Sequence, residues 1–158
     1  HIADEAIHRG HAVVIFDQFP SSWRSADQHE VIGDILDFDA LSNSMTGCDA
    51  VYHCAAVADL GEARRDPKTA VSVNVLGTLA VMQAAQASGV QRLLHASSVY
   101  VYSRSGSVYR TTKRAAESLV SDLSQEFGLR TTLLRFGSLY GPRADADKRL
   151  LRQAGRRD

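Results

Sequence analysis

Tyr109 and Lys113 stand four positions apart in a stretch of helical pattern, so both side chains share one helix face. An ammonium beside a phenol favours the phenolate, which prepares a tyrosine to exchange a proton with a substrate hydroxyl near neutral pH. One strand earlier stand Ser97 and Ser98. A hydroxyl at the carboxyl end of a strand can donate a hydrogen bond to a substrate oxygen and polarise it. Each feature also has a plainer reading. Tyr-x-x-x-Lys occurs on ordinary exposed helix faces, and a serine after a strand commonly serves a turn or caps a helix. The order of the two features, serine before the Tyr-Lys pair by one loop, favours acid–base chemistry at an alcohol.

The elements that must position these residues alternate. Ile2, Ala3, Ala6 and Ile7 have helical spacing, and Gly10 stands where a helix ends. Ala12–Phe16 is a continuous apolar run of strand length, as expected of a parallel strand buried on both faces. Val31–Asp34 reads as a short strand, Asp37–Met45 as a short helix and Ala50–Ala56 as another buried strand. Asp66-Pro67 suits an N-cap and first helical position, opening a helix to about Ser88. A strand over Val90–Ser97, a helix over Tyr109–Phe127 and a strand over Leu129–Phe136 complete the pattern. Alternating strands and helices predict an α/β fold with a mostly parallel sheet. Ligands then bind beyond the carboxyl ends of the strands. Asp17, Asp34, Ala55-Ala56, Ser97-Ser98 and Gly137–Tyr140 occupy such positions.

The chain has 158 residues, a size suited to one domain, with 44% apolar and 23% charged residues. Eighteen basic and 18 acidic residues balance, which gives no basic excess for nucleic acid. No continuous apolar run approaches the ~20 residues of a membrane span, and no signal-peptide pattern is visible. A cytoplasmic setting without membrane attachment is expected. The two cysteines, Cys48 and Cys54, are too few for a disulfide framework. His53 and Cys54 are adjacent in a strand and point to opposite faces, so no metal site is expected. Arg149, Arg152, Arg156 and Arg157 read as a solvated tail.

The order of serine and Tyr-x-x-x-Lys resembles the short-chain dehydrogenase/reductase superfamily. Further motifs resemble its extended branch, the NAD-dependent epimerases and dehydratases. Asp49–Ala56 is similar to that branch's D-x-V-x-H-x-A-A strand; Asp66-Pro67, Asn74, Gly77 and Thr78 to its D-P … N-x-x-G-T helix. Ser97–Tyr102 resembles S-S-x-x-V-Y, and Arg135 with Tyr140–Arg143 resembles R-x-x-x-x-Y-G-P-R. The resemblance implies a Rossmann-like doubly wound parallel sheet. It implies Ser98, Tyr109 and Lys113 as catalytic residues, with Lys113 on the nicotinamide ribose. It also implies NAD contacts by Asp17, Asp34, Ile35, Ala55, Ala56 and Asn74, where Asp17 disfavours a 2′-phosphate. The implied activity is that of an NAD-dependent epimerase acting on a nucleotide-activated sugar through a transient keto intermediate. A dehydrogenase or reductase with the same residues, or a non-catalytic dinucleotide-binding module, are the alternatives. Val99 and Tyr100 stand where dehydratases and decarboxylases of this branch carry acids, which makes a 4,6-dehydratase unexpected. Helices like 66–88 and 109–127 imply a homodimer.

Three departures from the branch set further expectations. No glycine-rich phosphate-binding turn occurs, and the pattern starts from a helix, so the first strand is expected to be absent from residues 1–158. Residues ahead of His1 are therefore expected. The stretch from Ser98 to Tyr109 is short, although eleven residues can span up to ~36 Å. Finally, residues 1–143 are expected to form the NAD-binding unit. Residues 144–158 are expected to begin a substrate-domain region or tail, and cannot themselves build the substrate domain.

Overall fold

The computed structural model describes residues 1–139. Helix α1 spans Ile2–His8, with Asp4 and Glu5 in its first turn, where carboxylates meet the positive end of the helix dipole. Strand β1 follows at Val13–Asp17 and β2 at Gln28–Ile32, paired in parallel from Val13 opposite Gln28 to Asp17 opposite Ile32. Helix α2 covers Phe38–Ser44, capped by the Asp37 side chain on the Ala40 N–H. Strand β3 covers Ala50–His53, β4 Arg92–Ser98 and β5 Arg130–Phe136. These three form a second parallel sheet in the order β3-β4-β5.

The architecture is thus α/β, Rossmann-like, with every strand pair parallel. The strands form sheets of two and three, and β1 is not hydrogen-bonded to β3. The break falls where the sequence pattern is one strand short. It also corrects the expectation for β1. That strand is continuously apolar but contains no buried residue, and Val14 is 39% exposed. A strand paired on one side only cannot be enclosed as a central strand is.

The Asp66–Ser88 stretch is not one regular helix. Asp66 does cap its start, accepting from the Thr69 N–H at 3.0 Å. Helix α4 then runs Pro67–Val71, a π-helical turn Ser72–Leu76, and α5 Gly77–Ala87. This segment of 21 residues contains an 18-residue window with a mean hydropathy of 1.3 and is long and apolar enough to cross a membrane by length and composition. Its apolar face has a partner in the fold: Val81, Met82, Ala84 and Ala85 are buried in the main core with Leu93, Val120 and Leu129. Counting uninterrupted apolar runs misses the segment because Asn74 and Gln83 interrupt it.

Two elements were not expected from the sequence: helix α3, Leu60–Arg65, and a 3₁₀ turn at Val99–Tyr102. Strand β2 also begins earlier than the apolar run Val31-Ile32 suggests, because backbone pairing with β1 includes the polar residues Gln28, His29 and Glu30. Helix α6, Ser107–Phe127, closes the fold by packing on α3, α5, β4 and β5. Met45 and Met82 are core residues, as their apolar character predicts.

Candidate active site

Tyr109 and Lys113 are not on an exposed helix face. They are 8% and 3% exposed: Tyr109 packs with Ala63 of α3 and Ala70 of α4, and Lys113 reaches β4. The Lys113 Nζ donates to the Ala96 carbonyl oxygen at 2.8 Å, which fixes the ammonium against β4 and leaves two of its three N–H donors available. Burial pushes the Lys113 pKa down to about 8, opposed by the nearby Cys54 and Glu117. The ammonium therefore remains the main form at neutral pH.

Ser98 ends β4 and is 6% exposed. Its extended backbone starts the 3₁₀ turn, and its Oγ accepts from the Tyr100 N–H at 3.3 Å. A hydroxyl that accepts there keeps its proton to donate elsewhere. The Tyr109 ring sits in a small cluster with Ala63 and Ala70, flanked by Val57, Val108 and Tyr100. The Tyr100 and Tyr109 rings meet edge to face, with centroids 6.1 Å apart. Ser98, Tyr109 and Lys113 thus gather around the carboxyl end of β4, through direct contacts to Tyr100 and Ala96.

Asn74 lies in the π-helical turn and is 1% exposed. Its Oδ1 accepts from the Val57 N–H at 2.8 Å, and its Nδ2 donates to the Val57 carbonyl at 3.1 Å and to Thr112 Oγ1 at 2.9 Å. Thr112 Oγ1 in turn donates to the Tyr109 carbonyl at 2.9 Å. Both amide protons are used within the protein. Asn74 therefore fixes the loop after β3, which carries exposed Ala55 and half-buried Ala56.

Two buried histidines lie beneath this loop. Thr78 Oγ1 donates to the Asn74 carbonyl at 2.8 Å, so His53 Nε2, 2.9 Å away, is the donor to Thr78. The His95 ring is centred 5.0 Å from that of His53, and neither of its nitrogens has a hydrogen-bond partner among the described residues. Burial pushes the His53 pKa down to about 3, with His95 and Lys113 adding to the effect. Burial and Lys113 push His95 down to about 4. Both imidazoles are neutral at physiological pH. The sequence singles out His53 beside Cys54 but gives no sign of its buried neighbour His95 beyond the alternation Leu93, His95, Ser97 on one face of β4.

The carboxyl ends of β1 and β2 form a second group. Asp17 is exposed; its Oδ1 accepts from the Phe19 N–H at 3.2 Å, and its Oδ2 has no partner among the described residues. Asp34 Oδ1 accepts from the Leu36 N–H at 2.9 Å, and Oδ2 from Gln18 Nε2 at 3.1 Å, so Gln18 joins the ends of the two strands. Ile35 is 6% exposed and belongs to the main core. It packs so closely on Gly77 that a Cβ there would lie 3.0 Å from Ile35 Cγ2. Its side chain therefore faces the interior, and Asp34 is the residue of this pair with a side chain facing outward. The free Asp17 oxygen, the two available Lys113 donors and the small Ala55 suit the ribose hydroxyls and flat surfaces of a dinucleotide.

Arg135 forms a fork on Glu117, with Nε at 2.9 Å and Nη2 at 2.7 Å, and also donates to Tyr102 Oη. The Arg135 guanidinium holds the Glu117 carboxyl below the usual carboxylate range. This group ties β5 to α6 beside the Ser98 turn. Tyr140–Arg143 and Arg149, Arg152, Arg156 and Arg157 lie outside the described residues.

Comparison with known proteins shows the family. Residues 1–157 match the family model described as NAD dependent epimerase/dehydratase family. A UDP-glucose 4-epimerase of Rhizobium leguminosarum bv. trifolii is 29% identical over 171 aligned positions, covering 95% of this chain and 50% of that protein. The 3beta-hydroxysteroid dehydrogenase/Delta(5)-Delta(4) isomerase 1 of Caenorhabditis elegans is 34% identical over 118 positions, covering 65% of this chain and 25% of that protein. The crystal structure of UDP-glucose 4-epimerase from Brucella ovis in complex with NAD matches with a TM-score of 0.75 at 32% identity, over 84% of this chain and 46% of that one. The chain thus spans half or less of the length of these relatives. With a family match along nearly its whole length and the serine, tyrosine and lysine gathered at one strand end, the chain belongs to the NAD-dependent epimerase/dehydratase family.

Proposed function

We propose that residues 1–143 form the NAD-binding unit of an epimerase that acts on a nucleotide-activated sugar through a transient keto intermediate. The observation that carries this reading is the gathering of Ser98, Tyr109 and Lys113 at the end of β4, with Lys113 fixed on the Ala96 carbonyl at 2.8 Å. In this reading Tyr109 takes the proton of a substrate hydroxyl and later returns it. Ser98, whose Oγ already accepts from the Tyr100 N–H, donates its proton to the same substrate oxygen. Lys113 supplies positive charge beside the phenol and holds ribose hydroxyls with its two remaining donors. Asp17, with one free carboxylate oxygen, accepts from the adenosine ribose, and Asp34 lies beside it across Gln18. Bound NAD would supply the hydride acceptor and donor. Exposed Val71 and Leu76 on the α4–α5 segment support a homodimer built through these helices.

A second reading, a dehydrogenase or reductase that releases its oxidised or reduced product, is favoured by the surroundings of Tyr109. Val57, Val108 and Tyr100 line its ring, and no carboxylate is present from Val99 to Tyr102. The same absence disfavours a 4,6-dehydratase. A binding module without catalysis needs neither the serine nor the buried Tyr-Lys pair. The test is turnover of UDP-glucose with NAD, following product stereochemistry and absorbance at the NADH band together. Epimer formation without net NADH supports the epimerase. Stoichiometric NADH with a keto product supports the dehydrogenase, and NAD binding without either reaction supports the module.

A further inference from the structure

We propose that Tyr100 is a positioning residue that sets the Ser98 hydroxyl and the Tyr109 ring relative to one another; the proposal rests on reading those two as the catalytic pair. Tyr100 touches both. Its backbone N–H donates to Ser98 Oγ at 3.3 Å, which occupies one acceptor site of the hydroxyl and directs the proton away from the turn. Its ring meets the Tyr109 ring edge to face, at 6.1 Å between centroids and 79° between planes. That is the favoured geometry for two aromatic quadrupoles.

The other apolar members of the Tyr109 cluster are Ala63, Ala70, Val57 and Val108, so Tyr100 is the one other aromatic ring of this cluster among the described residues. Tyr100 is held in turn by the short connection into α6. Gly106 has φ +107°, and a Cβ there would lie 3.1 Å from Tyr100 Cδ1 and 3.0 Å from Arg110 Cβ. Only a residue without a side chain lets the loop close this tightly. Arg110 Nη1 donates to the Ser103 carbonyl at 3.0 Å and pins the other end of the loop to α6. The short stretch between Ser98 and Tyr109 thus works as a clamp on Tyr100.

The test compares Tyr100→Phe, Tyr100→Ala and Tyr109→Phe with the parent in the full-length protein loaded with NAD, using UDP-glucose as probe substrate and 3-fluorotyrosine labelling for ¹⁹F NMR. Tyr100→Phe keeps the ring and the N–H, so kcat should stay within twofold and the Tyr109 signal should not move. Tyr100→Ala keeps only the N–H. Its kcat should fall at least tenfold with the Kd for NAD within twofold, and the Tyr109 signal should shift and broaden. Unchanged kcat or an unchanged Tyr109 signal in Tyr100→Ala would overturn the proposal while leaving the catalytic reading in place. Full activity of Tyr109→Phe would remove the catalytic reading, and the proposal with it.

Discussion

The Lys113 ammonium and the Ala96 carbonyl oxygen, 2.8 Å apart, join the first half of α6 to the carboxyl-terminal end of β4. This bond places a buried positive charge one turn of α6 from Tyr109 in sequence and one strand residue from Ser97-Ser98. Replacing Lys113 with Met keeps much of its length and removes the charge and the donors. The expected result is weaker NAD binding together with slower turnover, read by calorimetry and steady-state kinetics. Unchanged NAD affinity in Lys113→Met would remove Lys113 from the ribose site.

Asn74 makes a separate prediction about stability. Asn74→Ala leaves the Val57 N–H and carbonyl without their partner and frees Thr112 Oγ1 from its donor. A buried polar group left without a partner costs about 1–3 kcal/mol; the two Val57 groups are half-buried and lie toward the low end, and Thr112 Oγ1 keeps its bond to the Tyr109 carbonyl. A total loss of about 2–4 kcal/mol is expected, measured as a lower urea midpoint at unchanged slope. Asn74→Asp retains an acceptor for the Val57 N–H but loses both donors, so it should not restore stability.

His53 and His95 make stability depend on pH. Their pKa values of about 3 and about 4 in the fold lie below the ordinary value near 6.5. Between these limits the unfolded chain binds more protons than the folded one, so stability falls as pH drops below about 6.5. The slope approaches about 1.4 kcal/mol per pH unit for each imidazole. Above about pH 7.5 both are neutral in both states and contribute no slope. His95→Leu removes a ring whose nitrogens have no partner among the described residues, so it should flatten the dependence between pH 6.5 and 4.5. Urea unfolding at pH 7.5, 6.0 and 5.0 checks this; identical slopes in the parent and His95→Leu would contradict it.

Asp17 predicts cofactor choice. An exposed carboxylate with one free oxygen accepts from ribose hydroxyls and repels a 2′-phosphate. NAD should bind more tightly than NADP, and Asp17→Ala should narrow the difference about tenfold. Competitive titration of the two cofactors provides the measurement. Tighter NADP binding by the parent would contradict the assignment.

Much of this site was legible in the sequence, and the reasons are physical. Tyr109 and Lys113 are four apart on a helix, so no tertiary knowledge is needed to place them together. Strands β1 and β3 are visible as apolar runs, and β4 and β5 as short stretches around Leu93-Leu94 and Leu133-Leu134 that follow helix-ending glycines. Helix α3 escaped because it is six residues long and has only Asp59 as its cap. The π-helical turn escaped because local sequence does not report that Asn74 must reach Val57, 17 positions away. Ser98 capping a 3₁₀ turn and Tyr100 packing on Tyr109 are likewise consequences of the short loop closing, which spacing alone does not orient. His95 was hidden because a polar residue within an apolar strand gives no sign of whether a partner awaits it.

The most direct test of the catalytic reading is Tyr109→Phe, which keeps the ring against Tyr100 and deletes only the hydroxyl. In the NAD-loaded protein with a substrate the parent turns over, kcat should fall by about 10²–10⁴-fold, the usual range for general acid–base catalysis. The Kd for NAD should change little, because Lys113 and Asp17 make the proposed ribose contacts. Turnover by Tyr109→Phe at close to the parent rate would contradict the assignment of Tyr109 as the proton-transferring group.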